Sequence, residues 1–98
     1  MSLDVIENPT WEYPIRSFFN DIDINHMLTI TRGGLNLGKY EDVTLDKWRE
    51  EIYERISGKT ISGEDSNKPR MPTPPSPPWS DEMIALYKKW LDNGCPIT

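Results

Sequence analysis

Between Pro69 and Pro78, six of ten residues are proline. Each proline ring fixes φ and removes a backbone donor, so this stretch can neither join a sheet ladder nor continue a helix; it favours an extended polyproline II path. Whatever regular structure the chain has must lie on either side of it. The connection around the run, from Ser57 to Trp79, is polar at first and then proline-dominated. A connection this long inside a compact domain usually wraps something or performs a task.

The segment after the prolines reads as a helix over residues 81–93. Ser80 stands ready to cap the first turn, Asp81 and Glu82 sit at the positive end of the dipole, and Met83, Ile84, Leu86, Tyr87, Trp90 and Leu91 recur at helical spacing. Gly94 and Pro96 stop it, the glycine by accepting a left-handed conformation. A second helix is expected from a Thr44 cap through Leu45, Trp48, Ile52 and Ile56 to a stop at Gly58, its charged outer face a solvated surface. Nearer the N-terminus, Pro14 opens a helix through Ile15, Phe18 and Phe19, and Asp21 caps a continuation through Ile22, Met27 and Leu28 that Arg32, Gly33 and Gly34 break. Residues 40–43 read as one helical turn. No useful period-two alternation exists, so the fold class is all-α.

With 98 residues the chain holds one domain and one modest core. Residues 1–13 are read as an N-terminal extension and 14–98 as the domain. The charge of −5 argues against nucleic acid as a partner, because that affinity rests on clustered Lys and Arg. No apolar run approaches the roughly 20 residues that span a bilayer, and no leader pattern follows Met1, so no membrane insertion and a cytoplasmic setting are expected. The single cysteine, Cys95, allows no internal disulfide and no four-cysteine zinc site.

Most short motifs fail on inspection. Gly58-Lys59-Thr60 lacks the upstream glycine of a phosphate loop, since Tyr53 occupies its place. Asp21-Ile22-Asp23-Ile24-Asn25 begins like a calcium loop, but His26 and Arg32 stand where glycine and a bidentate glutamate belong. His26 has no second histidine or cysteine near it, so zinc binding and nucleophilic catalysis lack their partners. The reading therefore assigns no catalytic and no metal-binding residue, and no enzyme activity. The proline run offers either a peptide for an aromatic groove or a segment packed back on its own domain through Trp79.

Taken in order, the pieces resemble a small cytochrome c domain. Pro14 to Phe19 matches its first helix, Asp23-Ile24-Asn25-His26 its haem-attachment region, Met71-Pro72 its axial-methionine loop, and Trp79 to Gly94 its closing helix. That resemblance implies a cytochrome c-like bundle of three to five helices with a long proline-rich loop. It also implies a haem ligated by His26 and Met71. The two attachment cysteines are absent, however: Ile22 and Asn25 fall at their positions, and neither forms a thioether. The expectation is a haem-free domain, with no cofactor, in which Trp11, Phe18, Trp48, Trp79 and Trp90 fill the space a porphyrin would take. The alternative is an electron carrier that binds haem non-covalently through His26 and Met71. In the haem-free case the chain serves as an accessory or protein-interaction module, with a separate enzyme chain as a candidate partner and Pro74, Pro75, Pro77 and Trp79 as contact residues.

Overall fold

A computed structural model describes residues 6–67, 71 and 78–98 of the chain. These residues form a 3-10 turn, Ile15–Phe18, and four helices: α1 (Asp21–Ile30), α2 (Tyr40–Val43), α3 (Asp46–Ser57) and α4 (Asp81–Asp92). The only β pairings among them are two isolated bridges, Thr10 with Pro14 and Lys59 with Asp65. The all-α expectation holds at this level. No helix is long and apolar enough to cross a membrane among the described residues.

Helix α4 follows its sequence signals closely. The Ser80 hydroxyl accepts the Met83 N–H at 3.2 Å, which satisfies one of the free donors of the first turn. Gly94 then takes φ +87°, where a glycine has no Cβ to clash. Cys95 follows at φ +58°, and its N–H donates to the Trp90 carbonyl at 2.9 Å. Two successive left-handed residues turn the chain back along the helix end. The buried side of α4 carries Leu86, Tyr87 and Trp90.

Helix α3 ends as expected at Gly58, left-handed at φ +74°, with its N–H on the Glu54 carbonyl. Its start differs. Leu45, not Thr44, is the N-cap residue and supplies no side-chain bond. The Thr44 hydroxyl donates instead to the Tyr40 carbonyl at 2.8 Å, joining the Thr44 backbone N–H on that acceptor at the end of α2. A similar shift affects α1. Asn20, one residue before the expected Asp21, accepts the Asp23 N–H at 2.8 Å and is the cap. Asp21 becomes the first helical residue, where its charge still favours the positive dipole end.

The polar half of the long connection is not structureless. Thr60 N–H donates to Glu64 O, Gly63 N–H to Thr60 O and Ser66 N–H to Gly58 O, so residues 58–66 close into a compact turn. The Lys59 ammonium pairs with Asp65 across it and holds that carboxyl below its ordinary pKa. Pro74, Pro75 and Pro77 lie outside the described residues.

The core is dominated by indole and phenol rings. Trp11 and Trp90 stack with centroids 6.0 Å apart, Trp79 meets Phe18, Phe19 and Tyr87 edge-on at 5.2 to 5.9 Å, and Tyr87 lies 5.5 Å from Trp90. Ile15, Leu35, Leu37, Val43, Ile52 and Ile56 fill the space around them. Phe18 and Trp48 are half-buried against this cluster, and the buried Trp48 indole N–H has no hydrogen-bond partner among the described residues. Pro9 and Trp11, within the 1–13 stretch expected to be an extension, are buried as well. Trp11 is tied down by its own N–H, which donates to Pro96 O at 2.8 Å, and Glu12 N–H reaches Ile97 O at 3.0 Å.

Polar ends of the core aromatics find backbone acceptors. Trp90 Nε1–H donates to Pro96 O at 2.9 Å, Tyr40 Oη to Cys95 O at 2.6 Å, and Tyr87 Oη to Arg49 O at 2.9 Å. The Tyr87 bond links α4 to α3 and leaves no buried hydroxyl unpaired there. Burial pushes the Tyr87 phenol well above its ordinary value of 10.0, reinforced by Cys95 and opposed by Arg49. Burial likewise raises the Cys95 thiol above 9.0, again opposed by Arg49.

Two outcomes follow from this core. Replacing Trp79 by alanine is expected to lower the unfolding free energy by about 3–5 kcal/mol, the range for a buried aromatic truncation, as read by urea denaturation. The raised Cys95 and Tyr87 pKa values mean that the folded chain holds these protons after the unfolded chain has lost them. The contribution of these two groups to stability is therefore level below pH 9.0, the ordinary value of the thiol, and is lost as pH rises through the folded values. Urea midpoints taken from pH 7 to 10.5 check this, and Cys95→Ala should remove the onset near pH 9.0 while leaving the tyrosine-driven decline.

Candidate functional site

Helix α1 has an unusual distribution of polarity. Its acid Asp23 is 6% exposed, whereas Ile22 and Ile30 are 60% and 61% exposed. Ile24 and Met27 pack inward against the core, so the helix carries apolar side chains on opposite sides. The outer side is organised by spacing. Ile22, His26 and Ile30 stand four residues apart and form one ridge, with Asn25 and Thr29 beside it. These five residues line an open depression that contains no Asp, Glu, Lys or Arg.

The polar groups of this face are differently committed. Thr29 Oγ1 donates to the Asn25 carbonyl at 2.9 Å and so retains its capacity to accept. The imidazole of His26 is exposed between the two isoleucines. No other helix brings its backbone close to α1 among the described residues. The loop that follows is fixed by side-chain acceptors: Leu35 N–H bonds Thr31 Oγ1 at 2.9 Å, and Asn36 N–H bonds Asp42 Oδ2 at 2.8 Å. Those bonds carry Leu35 and Leu37 into the core while α1 stays at the periphery.

Those of the residues singled out from the sequence that are described lie on different elements. His26 belongs to the outer face of α1. Met71 is half-buried against the aromatic core, and its N–H donates to Arg55 O at 2.9 Å beside the last turn of α3. The interior between the helices is occupied by Trp11, Trp79, Tyr87 and Trp90. His26 and Met71, the pair expected to ligate a haem in the non-covalent alternative, thus stand on different elements, His26 on the outer face of α1 and Met71 beside the end of α3. Trp79, expected as a contact residue, is 7% exposed, so its indole is held inside the chain's own core. Its packing against Phe18, Phe19 and Tyr87 is the physical reason.

The α1 face was not a sequence candidate as a surface. Its signal was present in the isoleucines at Ile22 and Ile30, but these were indistinguishable from core positions until the burial of Asp23 fixed the rotation of the helix. Among the described residues no group of three or more His, Cys, Asp or Glu is placed to hold a metal ion.

Comparison with known proteins gives one bearing on function. No family model and no solved structure matches the chain. The chain is similar to Cyclopenase penL of Penicillium thymicola, 32% identical over 104 residues, a match that covers 98% of this chain and 14% of that protein. The chain thus spans about one-seventh of the length of the relative it matches. The expectation that the chain is not an enzyme is corrected by this likeness, since the relative is named for an enzyme activity.

Proposed function

We propose that this chain is a helical domain of an enzyme resembling the cyclopenases, and that it acts there as an interaction unit joined to the remainder of the catalytic protein. The observation that supports this reading is a likeness that runs along nearly the whole chain but occupies a small part of a much longer enzyme. The aromatic core of the 98-residue chain supports its folding as a unit, since Trp11, Trp79, Tyr87 and Trp90 are buried in it and the Tyr87 hydroxyl and Trp90 indole N–H find backbone acceptors there.

The architecture we favour for this unit is a cytochrome c-like helical domain whose interior is packed with indoles. Support comes from the capped last helix, which runs from Ser80 to the Trp90 and Gly94 turn, and from the rings that fill the centre. The described residues offer helix faces, which suits docking onto another part of the same enzyme.

The test is exchange of equivalent parts. The region of Cyclopenase penL that matches this chain is replaced by the 98 residues, and the hybrid is assayed for the activity for which that enzyme is named. Retention of at least a tenth of that activity supports the proposal. A folded, monodisperse hybrid with no activity overturns it.

A further inference from the structure

The geometry points to the outer face of α1 as the docking surface for a helix from the rest of the enzyme; this inference rests on the reading that the chain is one domain of a cyclopenase-like protein. A helix that is apolar on opposite sides is ordinarily covered on both. In α1 the inner side has its cover, in the core that receives Ile24 and Met27. On the outer side, Ile22 and Ile30 keep about three-fifths of their surface in water. Covering the exposed part of two isoleucines on one ridge removes apolar surface from water, which favours an occupant.

The ridge dictates what the occupant is. Residues four apart make the row that packs into the matching groove of a second helix, with the axes crossing near −50° and about 8–10 Å apart. In such packing Ile22 and Ile30 take the flanking positions and His26 the central one, where its imidazole can hydrogen-bond to the occupant. The uncharged lining calls for an equally uncharged helix face.

A second copy of this chain is a poorer occupant on grounds of area. Helix α1 has ten residues and is about 15 Å long, so one face of it falls well short of the roughly 800 Å² per partner that a stable free interface buries. A small patch suffices when the two surfaces belong to one polypeptide, because the tether supplies an effective concentration in the millimolar range. The matched relative is about seven times longer than the region this chain covers, so ample chain exists there to provide the second helix.

The experiment uses thiol reporters. Cys95 is buried and its pKa is raised, so the unaltered chain reacts slowly with a maleimide. I22C and I30C each place a reactive thiol on the ridge, and S62C places one on the exposed turn at residues 58–66 as a control. Labelling rates are read peptide by peptide by mass spectrometry, in the free 98-residue chain and in the hybrid enzyme. The expected result is at least tenfold slower labelling of I22C and I30C in an active hybrid, with S62C unchanged. Equal rates at the ridge in an active hybrid overturn the docking surface and leave the functional reading standing. A folded but inactive hybrid overturns the functional reading and this inference together. As a second measurement, I22S/I30S should lower the melting temperature of the hybrid by several degrees and leave that of the free chain unchanged; an equal shift in both overturns the docking role.

Discussion

The Pro96 carbonyl is the point on which the two ends of this fold depend. It accepts the Trp90 indole N–H at 2.9 Å and the Trp11 backbone N–H at 2.8 Å. Both bonds require the chain to double back after α4, and the left-handed residues Gly94 and Cys95 make that reversal within two positions. Once Pro96 is there, Trp11 is set against Trp90, and the segment before the 3-10 turn becomes part of the core. A buried indole N–H without such an acceptor costs about 1–3 kcal/mol, so ring stacking and hydrogen bonding are satisfied by one backbone turn.

The aromatic cluster then fixes the relation of the long helices. Tyr87 reaches from α4 to the Arg49 carbonyl of α3, while its ring lies between Tyr53, Trp79 and Trp90. Because Trp79 precedes the Ser80 cap, the end of the proline connection is anchored at the same place that α4 begins. Helix α1 takes little part in this arrangement. It is attached through Ile24 and Met27 and by the loop that buries Leu35 and Leu37, which leaves its opposite side free.

Much of the helical framework was legible in the sequence because its signals are local. Ser80, Gly58 and Gly94 act within one turn of themselves, and each performs the role its chemistry suggests. Thr44 and Asp21 illustrate where local reading stops. Each is a sound cap by type, yet a neighbouring acceptor at Tyr40 or a better-placed Asn20 took the role. The candidate site was less legible. An isoleucine shows no sign in the sequence of which way it will point, and α1 carries apolar residues around most of its circumference.

By itself the sequence determined the fold class, the glycine stops after the two long helices, the Ser80 cap of the last one and the absence of the thiols that covalent haem attachment needs. Those properties follow from residue type and short spacing, which persist in any conformation of the chain. Only the tertiary structure decided that Trp11 and Trp79 are core, and that Asp23 turns inward while Ile22 and Ile30 face water. The rotation of a helix about its axis is set by everything it packs against at once, and for α1 that sum is not written in any one segment.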